Sequence, residues 1–201
     1  MLNKNFREHE KEVWKKLSEE IGGRFNHEEK GDGRYDTVKA KVGPWTITLD
    51  IHSDASYAHE DIHTRLRAPY INPDGFRFNL FKASMWDELS TVFGGQDVEV
   101  GDAAFDDHFR VRASDEDKIK DLFDDTRLRE LLLQEPSAHL YVRDSGVWWE
   151  SEFPEGVDEI VLEVDGAIAD LGRLERMYSI FAASLRGLCR IGSAYEKEPE
   201  I

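Results

Sequence analysis

The chain has 201 residues, 40% hydrophobic and 11% aromatic, enough apolar bulk to bury a core and to exclude global disorder. Forty-two acidic against twenty-six basic residues give a net charge of −16, a field that repels phosphate backbones and anionic lipid and argues against nucleic acid and membranes as partners. A single cysteine, Cys189, excludes an internal disulfide framework, and no apolar run approaches the roughly 20 residues of a membrane helix.

In chain order, Phe6, Val13, Trp14, Leu17 and Ile21 recur at three- and four-residue steps and predict a helix over 5–21, stopped by Gly22-Gly23. Residues 26–33, polar and glycine-containing, read as a loop. Tyr35, Val38, Ala40 and Val42 mark a strand, and Gly43-Pro44 a turn. Trp45, Ile47, Leu49 and Ile51 then alternate with Thr46, Thr48, Asp50 and His52, the pattern of a half-buried strand. After a polar connection, 64–70 and 76–82 are predicted to form a second hairpin across Asn72-Pro73-Asp74-Gly75, where proline fixes φ and glycine permits φ > 0. A short helix over 85–93 and extended pieces at 97–100 and 109–112 come next.

Ser114 stands as the N-cap of an acidic helix and Thr126 as that of a second, closed by Pro136. Residues 140–143 and 147–151 read as a hairpin around Asp144-Ser145-Gly146, and 160–164 as one more strand. From 170 to 190, Leu171, Leu174, Met177, Tyr178, Phe181, Leu185 and Leu188 keep helical spacing, with Gly192 as the stop. Hairpins with segregated helices define an α+β fold: a mainly antiparallel sheet built from hairpins, flanked by N-terminal, central and C-terminal helices. The expectation is a single domain over 1–201, the alternative being two lobes that meet near 94–96.

His59-Glu60-Asp61-Ile62-His63 spells H-E-x-x-H. On a helix, histidines four apart share a face and can bind zinc or another divalent metal, with Glu60 as general base on the metal-bound water. Against this, the flanks lack the apolar periodicity of a docked helix and the segment lies between strands. Asp50 and His52 point the same way from one strand, and Asp-x-His at a strand end resembles the opening of a metallophosphoesterase site. Gly101-Asp102 with Asp106 and Asp107 has the wrong spacing for that site's second block, and its Gly-Asn-His block is absent. The acids from Asp97 onward miss the glycine and glutamate of a calcium loop. No nucleophile elbow, Walker loop or dinucleotide fingerprint occurs. Cys189 lies on the apolar side of its helix as a buried thiol. Trp148-Trp149 send one ring to each strand face, so one is covered by another element or anchors an interface.

Gln96-Asp97-Val98-Glu99-Val100-Gly101 leads to Phe105-Asp106-Asp107-His108-Phe109, followed by Leu122-Phe123, Arg127–Leu132, Asp170–Leu174 and Gly192-Ser193-Ala194-Tyr195. Over 60–195 this resembles a family of uncharacterised bacterial proteins, some with related segments in larger membrane-associated chains. The resemblance carries no catalytic residue or ligand. Phe105 and Phe109, four apart, suit a packing role beneath the sheet. Two functional expectations result. The first is a soluble, cytoplasmic, non-enzymatic interaction module, without a cofactor, that meets a protein partner through its acidic surface and exposed aromatics. The alternative is a metal-dependent hydrolase using His59, Glu60 and His63 with Asp50 or His52.

Overall fold

Alternation of apolar and polar side chains along nine strands builds one antiparallel sheet, seen in a computed structural model that describes residues 4–30, 33–54, 61–85, 96–143 and 153–201. Helix α1 (Lys4–Glu20) leads into strands β1 (Arg24–Lys30), β2 (Gly33–Val42), β3 (Trp45–Asp54) and β4 (Asp61–Ile71), which pair in succession. After β5 (Phe78–Lys82) and a 3₁₀ turn come β6 (Gln96–Val98), α2 (Ala103–His108) and β7 (Phe109–Ala113). Then follow α3 (Glu116–Phe123), α4 (Thr126–Leu133), β8 (His139–Arg143), β9 (Val157–Asp165) and α5 (Leu171–Arg190). The strand order is β1-β2-β3-β4-β9-β8-β5-β7-β6, so the last strand joins the N-terminal meander to the rest.

One face carries the core. Val38, Ile47, Leu49, Leu66, Leu80, Val111, Leu140, Ile160 and Leu162 are buried there in one cluster with Trp14 and Leu17 of α1 and with Leu174, Met177, Phe181 and Leu188 of α5. The Trp14 indole N–H donates to the Ile168 carbonyl at 3.0 Å, so its burial leaves no polar group unpaired. The α+β class and its flanking helices are as the residue pattern indicates. Among the described residues no helix is long and apolar enough to cross a membrane.

Several local expectations are corrected. Residues 24–30 are a strand, not a loop: Phe25 sits opposite Val38 and packs against the core, which holds this charged edge segment to β2. The turn at 72–75 exists, with Gly75 at φ 69°, but β4 and β5 do not pair. The Asn72 amide donates to Phe76 O at 3.0 Å and to Asp158 Oδ2 at 2.6 Å, which docks the turn against the start of β9 and turns the chain away from β4. Ser114 is not a cap, because its N–H donates to Arg77 O at 2.9 Å and its hydroxyl accepts from Arg77 N at 3.0 Å. Asp115 caps α3 and Asp125, rather than Thr126, caps α4, each accepting from the N–H three residues on. A carboxylate at that position also meets the positive end of the helix dipole.

The α5 ends follow the sequence. Asp170 accepts from Arg173 N at 2.7 Å. Gly192, at φ 76°, closes a Schellman motif with Gly192 N to Cys189 O at 3.1 Å and Ser193 N to Leu188 O at 2.9 Å. All of the predicted helix over 85–93 except Met85, the strand over 147–151 with its turn, and most of the 94–96 boundary lie outside the described residues; β8 is flanked by β9 and β5.

Phe105 is fully buried, its ring centroid 5.2 Å from Phe109 and 5.3 Å from Phe123. Phe105→Ala is expected to cost about 3–5 kcal/mol and Asp170→Ala about 1 kcal/mol, read from urea unfolding midpoints at constant slope.

Candidate functional site

The sheet face turned away from the helices carries the polar half of the alternation. Asp50 on β3, Arg65 on β4, Glu163 on β9 and His139 on β8 are directly opposite in one row of alternating charge. Arg65 donates from Nε to Asp50 Oδ1 at 2.8 Å and from Nη2 to Oδ2 at 3.1 Å. Arg67 donates from Nε to the same Oδ2 at 3.0 Å and from Nη1 to Glu159 Oε1 at 3.2 Å. Arg143 holds the other Glu159 oxygen. The Glu159 side chain is 2% exposed and that of Asp50 11%, burial that carboxylates tolerate only when paired and hydrogen-bonded.

Burial works against the charges of Arg65 and Arg67, but the hydrogen bonds and field of Asp50 outweigh it and raise both pKa values. Burial alone would raise Glu163, yet the hydrogen bond from His139 and the fields of His139, His52 and Arg65 hold its carboxyl below the usual range. Tyr141, on the same face, is pushed above its ordinary value by burial and then by the Glu163 charge. His139 Nε2 lies 2.8 Å from Asn79 Oδ1, which ties β8 to β5.

The residues singled out in sequence fall in different places. Asp50 is committed to two guanidinium groups. His52 and His63 are direct partners across β3 and β4, and His63 Nδ1 lies 3.4 Å from Asp165 Oδ1. His59 and Glu60 lie outside the described residues. Residues 61–63 begin a strand, so the one-helix geometry that H-E-x-x-H requires does not extend to His63. Asp102 caps α2 and pairs with Arg129 at 3.1 Å. Asp106 accepts from the N–H groups of Val100 and Gly101, each at 2.9 Å. Among the described residues no three side chains of His, Cys, Asp or Glu converge as a metal-holding group. Burial, then the Glu196 charge, push the Cys189 thiol up and away from thiolate reactivity. Trp148 and Trp149 lie outside the described residues, and Tyr195, 56% exposed, is an exposed aromatic within them.

A cleft of about 750 Å³ opens where β6 gives way to α2, lined by Asp97, Glu99, Asp106, Asp107, Phe109 and Arg110 with neighbouring small residues. Pairing of β6 with β7 ends at Val98 opposite Val111; beyond it the Phe109 N–H donates to Phe105 O and the Phe109 carbonyl accepts from the Arg110 guanidinium at 3.2 Å. Glu99 and Asp107 are exposed at its rim.

This architecture defines an α+β protein with a nine-stranded antiparallel sheet and helices packed on one face. Neither a family model nor a curated protein matches the chain in sequence. Among solved structures, the crystal structure of the mycobacterial trehalose monomycolate transport factor A, TtfA, is similar, with a TM-score of 0.52 over 96% of this chain and 98% of that one at 8% identity. At that identity the likeness is one of fold.

Removal of Asp50 leaves Arg65 and Arg67 without their shared counter-charge, so Asp50→Ala is expected to lose about 3 kcal/mol. Asp97→Ala, whose partner Arg112 sits beneath a 54% exposed carboxylate, should lose less than about 1 kcal/mol. Glu163 ionises more readily folded than unfolded, so its charge stabilises the protein above the unfolded value near pH 4.3. That contribution disappears as the pH falls through the folded value. In urea titrations the stability gap between wild type and Glu163→Gln should therefore narrow from neutral pH to below about pH 4.

Proposed function

We propose that the chain is a non-enzymatic interaction module whose partner is a protein with a basic segment, met at the acidic cleft between β6 and α2. The observation that carries this reading is an open cleft rimmed by the exposed carboxylates of Glu99 and Asp107. Carboxylates on either side of the cleft select for lysine and arginine. The net charge of −16 steers such a partner toward the chain. By contrast, the buried charges of the sheet face are spent on one another, which fits a scaffold more than a reacting centre. The fold likeness to a protein named as a transport factor is compatible with a binding role.

The test is affinity capture from host lysate with wild type and with a Glu99→Lys/Asp107→Lys variant, followed by binding measured with each purified candidate. A partner retained by wild type, bound at least about tenfold more weakly by the variant and more weakly at raised salt, supports the reading. A partner that binds both proteins equally, or no specific partner for wild type, overturns it.

A further inference from the structure

We infer that the corner where the turn after β4 meets the start of β9 is an internal binding site for one water molecule, held by the Tyr70 hydroxyl, the Asn72 side-chain carbonyl and the Asp158 carboxylate. The register makes Tyr70 the direct partner of Asp158, so both side chains leave the sheet on the same face. That face is the packed one, since Leu66 and Ala68 precede Tyr70 in alternation and Ile160 and Leu162 follow Asp158. Tyr70 is fully buried, and Asn72 and Asp158 are each 4% exposed. The Asn72 amide nitrogen lies 2.6 Å from Asp158 Oδ2, which brings the oxygen of the same amide into this corner.

Two of these buried atoms, Tyr70 Oη and Asn72 Oδ1, have no hydrogen-bond partner among the described residues. A buried polar group left unpaired costs more than an ordinary hydrogen bond gains, so two of them beside one carboxylate point to a ligand that pairs them. What each group offers defines that ligand. Burial, then the charges of Asp158 and Asp74, push the Tyr70 pKa up, so the hydroxyl keeps its proton and donates. Asn72 Oδ1 accepts, and the amide cannot turn over, because its nitrogen also donates to Phe76 O at 3.0 Å. Asp158 Oδ1 meets the Arg77 guanidinium at 3.4 Å, beyond the usual range, and so keeps room for a closer donor. A direct bond from Tyr70 to Asp158 would leave Asn72 Oδ1 unpaired. A cation would draw on the oxygens and leave the Tyr70 proton without an acceptor, and an anion would face two acceptors. Water accepts from Tyr70 and donates to both Asn72 and Asp158, the three hydrogen bonds usual for a buried water. It would join the end of β4, the 72–76 turn and the first residues of β9. The site stands apart from the β6 cleft.

The test is a crystal structure of the full chain at a resolution that shows ordered solvent, together with urea unfolding of wild type and Tyr70→Phe. One water oxygen about 2.6–3.2 Å from each of Tyr70 Oη, Asn72 Oδ1 and Asp158 is expected. Removing an unpaired hydroxyl would leave the folding equilibrium constant unchanged or raise it, whereas Tyr70→Phe is expected to lower it at least about fivefold. The crystallographic result stands whether or not the variant folds. Direct contact of Tyr70 Oη with Asp158, an ion or a protein atom in the water's place, or a Tyr70→Phe protein as stable as wild type or more so overturns the inference.

Discussion

Two arginines share one aspartate on the open face of this sheet, and the arrangement of the central strands depends on that junction. Asp50 accepts from Arg65 and Arg67, Arg67 reaches on to Glu159, and Arg143 closes on Glu159 from the far side. The chain of contacts runs across β3, β4, β9 and β8 in the direction of the sheet's hydrogen bonds. A one-residue slip of any of these strands would turn its charged residues into the apolar core and its apolar residues out of it. The lattice therefore penalises wrong register on one face as firmly as Leu49, Leu66 and Leu162 do on the other. Its carboxylates are buried, and the cost of desolvating them offsets much of their attraction to the arginines, so the network adds register specificity more than stability.

Local chemistry made much of the fold readable. The strict alternation from Trp45 to His52 gave the core face of β3, and the helical spacing from Leu171 to Leu188 gave α5 with both of its ends. What stayed hidden was non-local. Arg65 and Arg67 are separated by one residue and announce a shared face, but nothing near them in sequence says that their partners are fifteen residues earlier and more than ninety later. The turn at 72–75 is legible in the sequence, but the hairpin it implies does not form, because Asn72 binds Asp158 from a strand that comes much later in the chain. Strand β1 was missed for another reason: only Phe25 advertises it, and an edge strand needs few apolar residues. For the site, the H-E-x-x-H spelling implies histidines on one helix, whereas His63 lies in a strand opposite His52.

The acid excess also acquires local meanings. Asp102, Asp115, Asp125 and Asp170 each cap a helix. Asp74 accepts from Phe76 N and the Ser193 hydroxyl and pairs with Lys118, fastening the 72–77 turn to α3 and to the chain beyond α5. These carboxylates serve the fold. Those left at the surface, with Glu99 and Asp107 among them, set the protein's electrostatic character toward other molecules.

The position of β9 bears on how the chain is made. Strand β4 borders β9, yet the paired Ile71 and Val157 lie 86 positions apart in the sequence. On a ribosome, the β1–β4 meander emerges with one whole side of β4 lacking its neighbour, and it must wait for residues 157–165 before that side is satisfied. Elongation at about 5–20 residues per second makes the wait several seconds, ample time for stray pairing with another nascent chain. The charged alternation of His63, Arg65 and Arg67 along that waiting strand is thus a safeguard during synthesis as well as a register lock afterwards.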